Sequence, residues 1–251
     1  MKKIFALLIA VVALWGCSNN AYRIEGTIEG VADGDTITLC YSSNGQDVET
    51  VDKAIVKDGK FSFTGTQKGC KIFYIGYNEK TYPQYALFFL EPGNITAEIS
   101  NDTYNITGTP TNDINKVVED SLELFVKTMI ECEDILQNDT TLAENEILML
   151  ANKSYQTQSH AMEFIKNSIY ENIKNMVGLF LLVQYNDIFD NEELAMLIAA
   201  IPDENKDSEN NPMFEILTGI QEMRTVPDEY EDFLDAIEEE IPGATNSEIA
   251  E

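Results

Sequence analysis

The side chains through which this chain could do covalent, acid–base or metal chemistry are few in kind and restrictive in spacing. There are four cysteines, Cys17, Cys40, Cys70 and Cys132, and a single histidine, His160. No Cys-x-x-Cys pair occurs, so the arrangement in which one thiolate attacks and a second resolves is missing. His160 falls inside a helical stretch with no serine-elbow motif near it, and a lone histidine makes no His-rich metal site. It reads as a surface residue. Asp203-Glu204-Asn205-Lys206-Asp207 places oxygen atoms at alternate positions, as a calcium loop does. Ser208 stands where that loop needs glycine, and Phe214 where it needs a bidentate glutamate, so a solvated acidic loop is the better reading. Tyr74, Tyr77, Tyr82 and Tyr85 gather around Pro83 and are candidates for a platform that stacks carbohydrate or peptide. Tyrosine is also what a half-buried strand uses. Cys40 and Cys70 allow a disulfide in an oxidising compartment, or are simply small buried apolar residues. No catalytic residue, metal or cofactor is assigned.

Cys17 is different in kind. Lys2 and Lys3 precede an unbroken apolar run from Ile4 to Trp15, and Leu14-Trp15-Gly16-Cys17 closes it. A charged start, an apolar middle and a small residue at the cut make a secretory signal. The run is too short for a membrane-spanning helix, which needs roughly 20 apolar residues. Leu-x-Gly-Cys resembles the lipobox of bacterial lipoproteins, in which the cysteine is acylated, with palmitate among its chains, and becomes the mature N-terminus. The resemblance implies a signal peptide over residues 1–16 and a lipidated linker over 17–21. Ser18, where aspartate would imply inner-membrane retention in the familiar sorting rule, favours the outer membrane. No acidic cluster follows Cys17 before Glu25, which favours a body facing the periplasm over one at the cell surface.

Charge excludes other addresses. The formal charge is −28, and loss of Lys2 and Lys3 with the signal takes it to −30. Nucleic-acid binding through phosphates requires clustered Lys and Arg, so that partner is excluded. An anionic bilayer would repel the body, leaving lipid on Cys17 to hold the membrane.

Behind these residues the pattern predicts two kinds of structure. Over residues 22–109 short alternating segments rich in Tyr, Phe, Ile and Thr are separated by turn residues. They are Tyr22–Ile28, Thr36–Tyr41, Ala54–Val56, Phe61–Phe63, Lys71–Tyr77, Tyr85–Leu90, Ile95–Ile99 and Tyr104–Thr107. Lys57-Asp58-Gly59-Lys60 predicts a tight hairpin between Ala54–Val56 and Phe61–Phe63. Eight such strands predict an antiparallel β-sandwich or partly open barrel.

From Pro110 the period changes. Val118, Leu122, Phe125, Met129, Cys132 and Leu136 mark one face of a long helix, with Thr111, Asn112 and Asp113 as caps. Ala151, Tyr155, Gln158, Met162, Ile165 and Ile169 mark a second, from about Leu142 to Lys174, antiparallel to the first. Met176–Val183 is apolar nearly all round and predicts a buried helix. Further helices are predicted from Asn191 to Pro202, Pro212 to Arg224 and Asp228 to Ile241, the last acidic on its outer face. The fold class is α+β, with a helical domain over 110–241 and a tail over 242–251 expected to be disordered.

Gly26-x-Ile28, Val56-x-Asp58-Gly59-x-Phe61-x-Phe63-x-Gly65, Phe89-Leu90-Glu91-Pro92-Gly93 and Ile106-x-Gly108-Thr109 resemble the uncharacterised N-terminal β-domain of many lipid-anchored, TlpA-like/AhpC-TSA-type thioredoxin proteins of diderm bacteria. The helices after it are similar to the region that joins that domain to the thioredoxin fold. The family's Trp-Cys-x-x-Cys element has no counterpart in these 251 residues, so its disulfide-reductase activity is not carried over. The resulting expectation is a lipid-anchored envelope protein with a non-enzymatic binding or scaffolding role, assisting a thioredoxin-like partner. Alternatives are part of a reductase completed in trans, and an adhesin or glycan-binding module using the tyrosines.

Overall fold

The computed structural model describes residues 20–42, 48–77, 86–101, 103–206 and 211–225. Alternation builds the first half. In β1 (Ala21–Ile28) every second residue is buried, so Tyr22, Ile24, Gly26 and Ile28 face inward while Arg23, Glu25 and Thr27 face water. The strands that follow are β2 (Thr36–Ser42), β3 (Val48–Ile55), β4 (Lys60–Thr66), β5 (Lys71–Tyr77), β6 (Ala86–Leu90), β7 (Gly93–Ile99) and β8 (Tyr104–Thr107). They form two four-stranded sheets, ordered β4-β1-β7-β8 and β3-β2-β5-β6. Their inner faces share one core that includes Ile24, Phe63 and Ile95 from the first sheet and Leu39, Ile75 and Phe88 from the second. This is a sandwich rather than a barrel.

Two details depart from the expectation. β1 and β7 pair in parallel, because the chain crosses to the other sheet and back between them instead of turning directly. The Lys57–Lys60 turn forms, with Asp58 and Gly59 both at positive φ (52° and 67°) as a two-residue hairpin loop requires. Its ladder stops at that single bridge, since β3 and β4 then enter different sheets. Gly26 lies opposite Phe61 and Gly65 opposite Tyr22. A Cβ on Gly26 would sit 2.1 Å from the Phe61 ring, so these glycines make room for cross-strand aromatics.

The second half is helical: α1 (Pro110–Asn138), α2 (Glu144–Asn172), α3 (Met176–Gln184), α4 (Asn191–Ala200) and α5 (Pro212–Thr225). Proline at the first position of α1 costs no hydrogen bond there. Between α1 and α2 the Asp139 carboxylate accepts from the Thr141 N–H at 2.9 Å and its hydroxyl at 2.6 Å, closing the turn. Asn175 caps α3 by accepting from Val177 N (3.0 Å) and Gly178 N (3.3 Å). Gly178 allows the closest backbone approach, since a Cβ there would lie 2.0 Å from the Asn172 carbonyl oxygen. The cap of α4 is Asp190, one residue earlier than expected, accepting from Glu193 N at 2.8 Å. No helix among the described residues is long and apolar enough to cross a membrane. The chain divides into two compact units next to Asn112. The predicted helix from Asp228 to Ile241, the tail over 242–251 and the signal over 1–16 lie outside the described residues.

Candidate functional site

A buried polar cluster is built where the end of β6 lies against the start of α1. β6 ends its sheet, so Phe89 turns both backbone groups to the open edge. The Asn112 carboxamide fills that edge: its Oδ1 accepts from Phe89 N at 2.9 Å and its Nδ2 donates to Phe89 O at 2.7 Å. One side chain here does the work of a neighbouring strand. The Glu91 carboxylate accepts from Thr111 N and from the Thr111 hydroxyl, both at 2.8 Å, and so caps α1. Of the cap candidates Thr111, Asn112 and Asp113, the first two tie the helix start to Glu91 and β6 through their side chains. The residue types are the same, but the partners lie some twenty residues away in sequence.

Cys70 sits against this cluster. Burial, and secondly the Glu91 carboxylate, push its thiol up to about 12, with a hydrogen bond to Thr111 pulling the other way. Such a thiol is protonated at neutral pH and is a poor nucleophile. Cys40 is buried, 3.9 Å from the Thr50 hydroxyl, and Cys132 is buried on α1. All three are free thiols. The Cys40–Cys70 disulfide does not fit this register. Cys40 lies opposite Tyr74, which places Cys70 four residues, about 13 Å, farther along the strand direction. A disulfide spans no more than about 7 Å between Cα atoms.

The tyrosine platform also separates. Tyr74 and Tyr77 are three residues apart on β5 and face opposite sides of the sheet. Tyr77 packs against the sandwich core and donates from its hydroxyl to Asp35 Oδ2 at 2.8 Å, a bond that raises its pKa. Burial raises that of Tyr74. Tyr82 and Tyr85 lie outside the described residues, as does Cys17.

The outer face of the first sheet carries an open trough of about 540 Å³ lined by Arg23, Glu25, Lys57, Lys60 and Glu98. Arg23 is paired with Glu25, and Glu98 accepts from Asn105 Nδ2 at 2.9 Å. Charges of both signs on an open strand face make a solvated surface. His160 is exposed on α2. Asp203–Asn205 form one 3-10 turn in which Lys206 Nζ approaches Asp203 Oδ1 to 3.1 Å, putting an internal cation where a metal would compete. Among the described residues no group of three or more His, Cys, Asp or Glu side chains is placed to hold a metal.

The fold thus defines a two-sheet β-sandwich with a helical continuation, and its polar cluster is a structural latch with an unactivated thiol. Residues 22–115, the sandwich and the first turns of α1, match the model of a family described as a domain of unknown function, DUF4369. Comparison with curated proteins and with solved structures gives no match.

Proposed function

We propose that this chain is a lipid-anchored protein of the bacterial cell envelope with a non-enzymatic binding or scaffolding role. The observation that carries the reading is Leu14-Trp15-Gly16-Cys17 at the end of a short apolar run behind two lysines. Lipid on Cys17 would hold a strongly acidic body at a membrane that repels it, and Ser18 favours the outer membrane with the body in the periplasm. The non-enzymatic part is supported by chemistry. The Cys70 thiol is driven away from reactivity, and Tyr74 and Tyr77 share no face on which a ligand could stack.

The partner class we propose is a thioredoxin-like oxidoreductase encoded separately, on the resemblance of the β-domain and helices to the region that precedes that fold. Crosslinking in intact envelopes followed by pull-down of the lipidated chain tests this. The expected result is reproducible capture of such a partner. Reduction of insulin disulfides by the purified chain alone, with turnover, would overturn the non-enzymatic reading.

A further inference from the structure

Burial marks the seam between α1 and α2. On α1 the covered or half-covered row runs through Val118, Leu122, Phe125, Met129, Cys132 and Leu136. On α2 it runs through Leu150, Ser154, Thr157, Ala161, Phe164 and Ser168. The Phe125 and Phe164 rings meet across the seam at 5.9 Å, which sets the two helices level at that point. In an antiparallel pair of right-handed helices, the residues that follow each seam position by one lie on the same side. On that side stand Val126 and Ile130 of α1 with Tyr155 and Met162 of α2, and Ile147 continues the row toward the turn. They are 47, 60, 71, 41 and 44 % exposed.

The two helices bring different charge to this side. From Ile147 to Met162 α2 has no carboxylate, in a chain that holds 44. On α1, Glu119, Glu123 and Glu133 flank Val126 and Ile130. The side is therefore met without opposing like charges by a surface that lays an apolar, uncharged helix on α1 and an acidic one on α2. A second copy of the hairpin is such a surface. A twofold axis parallel to the helices sets α1 of each copy over α2 of the other. An axis across them would bring the three glutamates against themselves. At 1.5 Å per residue the side from Ile147 to Met162 is about 23 Å long, and two packed helices are about 20 Å wide. Two copies would bury roughly 1,000 Å² in all, the size of a specific but reversible contact.

We propose that two copies of this chain pair through the Val126–Ile130–Tyr155–Met162 side of their hairpins, α1 of one over α2 of the other. The four-helix bundle so formed gives each long helix the second neighbour that its apolar arc needs. Val126 then lies within one residue's rise of Met162 of the second copy, because Phe125 and Phe164 set that level and the axis preserves it. The formal charge of −28 on each chain opposes the pairing, and salt screens it over about 8 Å at physiological ionic strength. The pair therefore tightens as salt rises.

Sedimentation equilibrium of the purified full chain in density-matched nonionic detergent tests the pairing. The expected result is a monomer–dimer equilibrium with a dissociation constant of about 10 µM that tightens about tenfold between about 50 and 500 mM NaCl. Ile130→Asp with Tyr155→Asp changes only exposed residues and should weaken it about thirtyfold or more, with helix content by circular dichroism unchanged. Leu124→Asp, on the opposite side of α1, should leave it within about twofold. Orientation is read by mild oxidation of two differently tagged chains, one Val126→Cys and the other Met162→Cys. They should link to each other about fivefold more than two Val126→Cys chains do. A chain that stays monomeric at about 100 µM in the higher salt, or a dimer that survives the aspartate pair, would overturn the proposal. So would pairing that weakens as salt rises, or Val126→Cys chains that link best to themselves.

Discussion

The sandwich and the α1–α2 hairpin use apolar residues in opposite ways. In the sandwich, two sheets face each other, and nearly every inward position of β1, β4 and β7 is buried: Ile24, Phe63 and Ile95 are closed off from water. In the hairpin the sequence is as periodic, yet large apolar residues stay exposed, among them Val117, Leu124 and Ile135 on α1 and Leu148 and Tyr155 on α2. A sheet pair is its own partner, because each face supplies what the other must cover. A long helix presents a broad apolar arc and needs more than one neighbour to bury it. The first region covers most of its inward apolar residues itself; the second leaves large apolar residues exposed.

The largest expected effect separates the two regions by stability. Ile24→Ala, in the sandwich core, should cost about 3–4 kcal/mol in urea unfolding. Leu124→Ala, on the exposed side of α1, should cost less than about 0.5 kcal/mol. Similar losses at both sites would break the comparison by showing that α1 is covered there. Next comes the latch. Asn112→Ala leaves the N–H and C=O of Phe89 without their carboxamide partners, and about 2–3 kcal/mol of stability should go with it. Asn112→Asp sharpens the point, since a carboxylate can accept from Phe89 N but cannot donate to Phe89 O.

The smallest effect is a rate. With its thiol pushed up to about 12, Cys70 in the folded chain should alkylate with iodoacetamide far more slowly than a free cysteine at pH 8. An unfolded cysteine ionises near pH 8.5, so between about pH 9 and 12 the unfolded state sheds a proton that the folded state keeps. The stability contributed by this group is therefore present below pH 8 and lost as pH rises toward 12. A Cys70 that reacts at the rate of a free thiol at pH 8 would reopen the redox reading.

Much of this architecture is legible in the sequence. Tyr22–Ile28 alternates, and β1 alternates in burial; Asp58-Gly59 announces its turn; the change of period at Pro110 is where α1 starts. What escaped is what depends on distant partners. No local pattern says that β1 will lie parallel to β7, or that β3 and β4 part company after one bridge. Asn112 reads as a cap because capping is a local signal, while its hydrogen bonds to Phe89 are not. The α2 stripe shows the same limit from another side. Ile165 and Ile169 are buried, whereas Tyr155 and Met162, on the same predicted face, are not. Periodicity reports which residues share a face; only the fold supplies what covers it. The site residues fared as their geometry required: strand alternation parts Tyr74 from Tyr77, and the β2–β5 register parts Cys40 from Cys70.

The proposed function rests on a lipid anchor at Cys17. The most direct measurement is mass spectrometry of the N-terminal peptide of the protein extracted from bacterial membranes. The expected product is a mature chain that begins at Cys17, carrying a thioether-linked diacylglyceryl group. A chain that retains Met1–Gly16, or one whose Cys17 is unmodified or removed, would contradict it.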